Sequence, residues 1–453
     1  MRVVIFLAVS AAGFSTAFGQ SAPGPAEIVT IADDPAAIDP ESGSRLPFLT
    51  REDMADEAGV QIYDALAAST GTPPRGTLAI ALHSPETAAA LGRIETYLRS
   101  ASPLGPRLAE LARLVTAREL NLPYEWSEHE PAALLAGVPP AVIEAVRWNG
   151  DVGGLPPDDA LLIDFGRQLF RNRHVDAETF AAMVERLGRQ RTFDAIMALT
   201  YGAMAGILQR AVDQRPPAGW DPQALPDVPG VGTPSGRPGE FVALGPRPPL
   251  PADVHEESYY RFRLLRRDEL DPRGREIFDR LVGADRDAAP LGPVGMTLNS
   301  PELAEPIQQL NSALRQRGVL GTRTAEIVIA ATGREMNSQY QWVVHGAAAE
   351  RAGAGHDVLD AIRDDGDLSK LDERDAVAIA FTRELFREAT VRPETFAAAL
   401  EQFGTRGVVE IAALVGDYLM VTTMYNALGM RLRADQEPTL PHRVGAPVGA
   451  EWR

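Results

Sequence analysis

The chain has 453 residues, a formal net charge of −18 at neutral pH, one lysine (Lys370) and no cysteine. The absence of cysteine excludes thiol nucleophiles, thiolate metal sites and disulfides, and the single lysine argues against Schiff-base chemistry. An acidic surface repels phosphate backbones, so we expect no nucleic-acid partner.

The first nineteen residues have the pattern of a secretory signal peptide. An almost unbroken apolar stretch runs from Val3 to Phe18, and the small residues Ala17 and Gly19 occupy the −3 and −1 positions of a cut before Gln20. The stretch is shorter than the ~20 residues that span a bilayer, which favours a cleaved signal over an anchor. We therefore expect an exported protein, periplasmic or secreted, with no membrane partner after cleavage.

The rest of the chain contains two copies of one unit at a constant offset of 216 residues. The register is visible in Ser84-Pro85-Glu86 and Ser300-Pro301-Glu302, and again in the segments Glu178 to Ala182 and Glu394 to Ala398. Each unit covers about 165 residues, which is the size of a domain rather than of a solenoid repeat. The pattern indicates a tandem duplication.

Within each unit the apolar periodicity is helical. In the first copy it predicts a helix from Leu108 to Leu120, a second from Pro123 to a stop at Gly137, and further helices over Asp158 to Phe170, Ala177 to Leu187, and Thr192 to Val212. Neither copy shows a convincing alternating strand. The fold class we expect is all-α, with two tandem helical bundles.

Proline- and glycine-rich stretches separate these units and read as extended segments. The expected organisation is a signal peptide (1–19), an extended arm (20–44), a first domain (45–214), a linker (215–258), a second domain (259–436) and a C-terminal tail (437–453).

The densest segment shared by the two copies is polar and aromatic. In the first copy it contains Tyr124, Trp126 and His129, and in the second Tyr340, Trp342 and His345. Glu110 and Glu326 precede the histidines by nineteen residues, and Arg118-Glu119 and Arg334-Glu335 lie at the end of the preceding helix.

At these residues the chain resembles the carboxymuconolactone decarboxylase family, which includes the alkylhydroperoxidase D-like proteins. The resemblance lies in the Tyr-x-Trp-x-x-His helix, in the glutamate nineteen residues before the histidine, and in the glycine eight residues after it. It implies two tandem alkylhydroperoxidase D-like bundles of about six or seven helices each. It also implies association of the units, either as a pseudo-symmetric pair within one chain or as a homo-oligomer in which three chains form a pseudo-hexamer.

The thiol-using members of that family carry cysteines seven and four residues before the histidine. Here these positions hold Leu122 and Glu125 in the first copy, and Ser338 and Gln341 in the second. The peroxidase or peroxiredoxin activity that the family label suggests is therefore disfavoured. The resemblance implies instead the cysteine-free branch, whose named member decarboxylates a lactone acid without a cofactor.

We expect His129 and His345 to act as acid and base, since imidazole titrates near neutrality, with Glu110 and Glu326 fixing their tautomers. The other candidates would bind substrate, the arginines by gripping a carboxylate. They are Tyr124, Trp126, Glu125 and Arg118 in the first copy, and Tyr340, Trp342, Gln341 and Arg334 in the second. Each of these residue types is also common as a core or ion-pair residue, so a structural role stays open.

No His-x-Glu-x-x-His pattern, carboxylate cluster typical of metal sites or glycine-rich phosphate loop is apparent, and we expect no metal and no cofactor. The leading hypothesis is a cofactor-independent enzyme with lyase- or hydrolase-type acid–base chemistry on a small organic acid or lactone. The alternative is a non-catalytic module that binds a ligand or supports assembly.

Overall fold

A computed structural model describes residues 34, 36–216, 225–232, 240–447 and 449–452. The predicted signal peptide, residues 1–19, lies outside these ranges, as does most of the predicted arm. Among the described residues the fold is all-α, which confirms the predicted class. Their regular β-structure is one antiparallel pair of two-residue strands, β1 (Phe241–Val242) and β2 (His442–Arg443).

The first copy forms nine α-helices within the described residues, several of which begin with proline in the first turn, where its missing N–H costs nothing. They are α1 (Glu57–Thr70), α2 (Gly76–Ala81), α3 (Pro85–Thr96), α4 (Pro106–Glu119), α5 (Pro123–Leu135), α6 (Pro140–Arg147), α7 (Pro157–Asn172), α8 (Ala177–Leu187) and α9 (Arg189–Ala211). The five helices predicted from periodicity are α4, α5, α7, α8 and α9. The bounds of α8 are those predicted.

The second copy repeats this order. Its helices are α10 (Pro272–Leu281), α11 (Pro293–Thr297), α12 (Pro301–Arg315), α13 (Gly321–Glu335), α14 (Gln339–Gln341), α15 (Ala347–Arg351), α16 (His356–Arg363), α17 (Glu373–Arg387) and α18 (Pro393–Leu428). A π-helical turn, Trp342–Gly346, joins α14 to α15. The backbone of α18 is non-helical at Gly404, at the offset position of Gly188, which separates α8 from α9. Thus α18 corresponds to α8 and α9 together.

The helix α18 is long and apolar enough by composition to cross a membrane, but its apolar window is entirely buried inside the fold. It packs along α9, and α3 packs against α12, so that equivalent helices of the two copies meet in pairs. The burial of α18 is that of a core helix.

Reciprocal contacts join the two copies. The Arg45 Nη1 atom donates to the carbonyl of Val391 at 2.7 Å, and the Arg261 Nη2 atom donates to the carbonyl of Val175 at 2.7 Å. Each residue of the first bond lies 216 positions from its counterpart in the second. The two copies therefore contact each other through a pseudo-twofold arrangement.

The repeat also extends upstream of the predicted domain starts. The hydroxyls of Ser42 and Ser258, which lie in the predicted arm and linker, donate to the carbonyls of Leu46 and Phe262, each at 2.7 Å. Both serines are buried. These short segments therefore belong to the packed units.

The described parts of the linker and tail lie against the helices. β1 comes from the linker and β2 from the tail. Glu451, near the end of the chain, is buried and accepts hydrogen bonds from Ser338 Oγ (2.6 Å) and the Gln339 backbone N–H (2.8 Å). The tail thus covers the start of α14, which its composition did not indicate.

Candidate functional site

Tight turns bring the histidine and glutamate of each copy together. Asn121, between α4 and α5, and Asn337, between α13 and α14, both have φ of 52°, a left-handed conformation that asparagine tolerates better than most residues. The chain reverses there, so side chains nineteen residues apart meet across two packed helices. The sequence predicted this pairing, and it occurs in both copies.

In the first copy, carboxylates lie on both sides of the His129 ring. The Nδ1 atom is 2.8 Å from Glu110 Oε2, and the Nε2 atom is 3.4 Å from Glu125 Oε2. His129 is 8% exposed and Glu125 only 2%. The imidazole is therefore held in a buried, negatively charged environment.

Further groups from α3, α4 and α9 surround Glu125. Arg113 donates to Glu95 Oε2 at 2.5 Å, and its Nη1 atom lies 3.8 Å from Glu125 Oε2. The Gln209 amide donates to Glu125 Oε1. The other oxygen, Glu125 Oε2, is buried and accepts no hydrogen bond from any described residue.

Burial lowers the pKa of His129, but the hydrogen bond and charge of Glu110, followed by the nearby negative charge of Glu125, outweigh it. The pKa of His129 is therefore held well above its usual value. The protonated, cationic form of this imidazole is thus favoured at neutral pH.

In the second copy, the histidine makes the same first contact in different surroundings. His345 Nδ1 lies 2.7 Å from Glu326 Oε2, and the Arg315 guanidinium binds Glu326 Oε1, with its Nε atom at 3.1 Å. The Tyr418 ring packs edge-on against the imidazole, with centroids 4.9 Å apart. His345 Nε2 makes no hydrogen bond with any residue in the described ranges.

Burial lowers the pKa of His345; Glu326 opposes this shift, and the charge of Arg315 adds to it. The net direction is downward, so the imidazole is neutral at pH 7. Burial tends to raise the pKa of Glu326, but its hydrogen bonds with His345 and Arg315 bring it below its usual value. The second copy therefore pairs a neutral imidazole with a charged carboxylate.

The remaining polar candidate of this segment, Gln341, does not contact His345 by a hydrogen bond. Its Nε2 atom donates to Thr422 Oγ1 at 3.3 Å, on α18. Of the predicted tyrosines, Tyr340 packs edge-on against Tyr425 at 5.2 Å between centroids, and Tyr124 is buried beside Gly76.

The predicted tryptophans and arginines make contacts that hold the fold. Trp126 Nε1 donates to Glu130 at 2.9 Å, and Trp342 Nε1 donates to Thr439 at 3.1 Å. Arg118 donates to the carbonyl of Pro226 in the linker at 2.6 Å, and Arg334 to that of Pro441 in the tail at 2.7 Å. The neighbouring glutamates, Glu119 and Glu335, pair with Arg171 and Arg387. None of these contacts involves either histidine.

Several site residues are not apparent from the repeat, because their counterparts in the other copy are different residues or, for Arg315, make a different contact. Glu95, Arg113 and Gln209 surround the first histidine, whereas Arg315, Asp417 and Tyr418 lie near the second. At the offset of Arg113 stands Ile329, and at that of Tyr418 stands Gly202. A comparison of the two copies, which selects side chains retained in both, therefore does not identify these residues.

Comparisons with known proteins identify no relative: no family model, no curated protein and no solved structure matches the chain.

Proposed function

We propose that the chain is an acid–base enzyme acting on a small organic acid or lactone, similar to the cysteine-free carboxymuconolactone decarboxylases, and that His345 is its acid–base residue. The observation that carries the proposal is the His345–Glu326 pair, in which Nδ1 is bound by the carboxylate and Nε2 is left without a hydrogen bond to a described residue. On this proposal each copy is an alkylhydroperoxidase D-like bundle.

The pair has the properties that a general base needs. A neutral imidazole accepts a proton at Nε2, and the Nδ1–H bond to Glu326 fixes that tautomer and stabilises the imidazolium that forms. The same proton is then available for return to a carbon centre when a carboxylate or lactone bond breaks. No cofactor is required for either step.

Arg315 gives this site a preference for anionic substrates. Its Nε and Nη2 atoms bind Glu326, while its Nη1 atom has only a 3.5 Å contact with Asn311 Oδ1. The side chain is 31% exposed. A substrate carboxylate can therefore pair with Nη1 beside the imidazole, as charged hydrogen bonds to arginine commonly do.

The first copy is a less suitable base for geometric reasons. His129 Nε2 faces the Glu125 carboxylate at 3.4 Å, so the nitrogen that would take a proton from substrate is already beside an anion. We therefore assign the proton transfer to the second copy.

A non-catalytic binding or assembly module is the second candidate. The low exposure of both imidazoles, 8% for His129 and 7% for His345, favours it, since a core histidine has the same burial. A peroxidase function is not proposed, because the chain has no thiol.

Export and assembly complete the proposal. Residues 1–19 would be removed on export, and three chains would form a homo-oligomeric pseudo-hexamer. Mass spectrometry of the periplasmic or secreted protein should place the mature N-terminus near Gln20, and light scattering should give the mass of three chains. A retained Met1, or a monomer in solution, would contradict these two statements respectively.

The activity is tested by incubating the protein with a panel of lactone acids and hydroxy- or oxo-acids while carbon dioxide release and proton uptake are followed. With a converted substrate, His345→Gln should lower turnover by about 10²-fold or more, because proton transfer typically contributes that much. Circular dichroism checks that the variant is folded. If no compound reacts and His345→Gln changes only thermal stability, the binding or assembly function is supported instead.

A further inference from the structure

Three side chains of α5 have ligand atoms that lie within 4.8 Å of one another: Glu125, Glu128 and His129. Positions i, i+3 and i+4 share one face of a helix, so the helix itself holds them together. Glu125 and His129 are buried, whereas Glu128 is exposed. The group thus consists of two buried side chains and one carboxylate at the surface.

The buried part of this group contains an unsatisfied oxygen. Glu125 Oε2 accepts no hydrogen bond from a described residue, and the nearest ring nitrogen, His129 Nε2, is 3.4 Å away. That distance is long for a hydrogen bond to a charged group. It equals the edge of a coordination tetrahedron, because ligand atoms about 2.1 Å from a zinc ion lie about 3.4 Å apart.

A second layer of contacts orients the two buried ligands. Glu110 binds Nδ1 of His129 at 2.8 Å, so that a metal ion that displaces the Nε2 proton would bind at Nε2, as in the carboxylate–histidine–metal arrangement of many metal sites. The Gln209 amide binds Glu125 Oε1, so that Oε2 is the oxygen presented to the imidazole.

The charge of this region also calls for a cation. The carboxylates of Glu95, Glu110, Glu125 and Glu128 lie near two cationic groups, the Arg113 guanidinium and the His129 imidazole. A divalent ion between Glu125, Glu128 and His129 would replace the Nε2 proton of His129 and offset the negative charge that is in excess of these cations.

We propose that the first copy binds one divalent transition-metal ion, Zn²⁺ or an ion of similar preference such as Mn²⁺ or Fe²⁺, through His129 Nε2 and the carboxylates of Glu125 and Glu128. One imidazole with two carboxylates suits these ions, whereas calcium prefers oxygen ligands alone. The site goes beyond the acid–base function and does not depend on it.

The second copy provides a built-in comparison. At the offsets of Glu125 and Glu128 it has Gln341 and Val344, and Gln341 donates to Thr422 instead of facing the histidine. A neutral amide and an isopropyl group do not replace two carboxylates as metal ligands. The stoichiometry should therefore be one ion per chain, not two.

The test uses the full chain without an affinity tag, stripped with a chelator and titrated with zinc chloride in a calorimeter, followed by elemental analysis after dialysis. We expect one zinc ion per chain, and an affinity reduced about 10-fold or more in Glu125→Gln and in Glu128→Gln, by analogy with the 10- to 100-fold losses typical of altered metal sites. Glu401→Gln, which removes an exposed carboxylate from the second copy, should bind zinc as the wild type does.

The absence of zinc binding, two ions per chain, or an unchanged affinity in both glutamate variants would overturn the proposal. Because Glu128 is exposed, Glu128→Gln should keep the fold and decides the question if Glu125→Gln unfolds. Binding is measured directly, so its failure leaves the acid–base proposal, which is tested by turnover, unaffected.

Discussion

His129 and His345 occupy equivalent positions and make the same contact with a glutamate, at 2.8 Å and 2.7 Å. Their surroundings differ in charge: a second carboxylate faces the ring in the first copy, whereas an arginine supports the glutamate in the second. The pKa of the imidazole is accordingly raised in one copy and lowered in the other. A retained pair of residues thus does not define a retained site, because the chemistry of an imidazole depends on the charges next to it.

The largest effect that we expect is on the unfolding free energy, and it comes from Asp417. This buried carboxyl group lies on α18 in the second copy, where the first copy has Tyr201. Burial, partly offset by the Asn311 hydrogen bond, raises the pKa of Asp417 to about 7. A raised pKa in the folded state favours the protonated form, so the wild type should lose stability as pH rises from about 4 to 7. Asp417→Asn should remove this loss, with unfolding free energy exceeding that of the wild type by a few kcal/mol at pH 8.

The measurement is urea unfolding of both proteins at pH 4.5 and pH 8. Asn keeps the oxygen that accepts from Asn311 Nδ2, so the hydrogen bond at 3.2 Å is retained. A difference that is the same at both pH values would show that Asp417 does not titrate with folding.

A second contrast concerns the arginines at equivalent positions, Arg315 and Arg99. Arg315 binds Glu326 beside the histidine, whereas Arg99 donates to the carbonyl of Ser69 at the surface. Arg315→Gln should raise KM for an acid substrate about 10-fold, the effect of losing one charged hydrogen bond. Arg99→Gln is the matched control and should leave KM unchanged. Equal effects of the two substitutions would contradict the assignment of the substrate to the second copy.

A smaller effect on the free energy of unfolding should be the same in both copies, because equivalent glycines have the same backbone conformation. Gly188 and Gly404 have φ of 77° and 67° with extended ψ, a conformation open to glycine almost alone, and a methyl group at either would meet no atom within 4 Å. Gly188→Ala and Gly404→Ala should each lower the free energy of unfolding by about 1 kcal/mol through backbone strain. Gly245→Ala, also without a close neighbour and without positive φ, should have little effect.

Local features of the sequence predicted the helices and the histidine–glutamate pairs well. The period of apolar residues gave α8 its bounds, and the nineteen-residue spacing placed Glu110 against His129. The surroundings of the pairs were not predictable in the same way. Gln209 reaches Glu125 from a helix 84 residues further along the chain, a contact set by tertiary packing and not by any local period.

The predicted role of Arg118 and Arg334 illustrates a second limit. An arginine at a helix end is suited to a substrate carboxylate, but here both side chains bind carbonyls of the linker and the tail. Proline-rich segments lack the helical periodicity from which their packing could be predicted. The sequence therefore gave no indication of the acceptors that these arginines meet.

The most direct test of the central claim is a titration of the His345 imidazole by NMR on histidine-labelled protein, with its signal assigned through His345→Gln. We expect a midpoint below about 6.5, the ordinary value for histidine, since burial lowers the pKa of His345. Glu326→Gln should move the midpoint further down, because the carboxylate that supports the imidazolium is removed. Glu401→Gln, the exposed control, should leave it in place. A midpoint above 7, or one that does not respond to Glu326→Gln, would contradict a neutral imidazole poised by Glu326 as the base of this site.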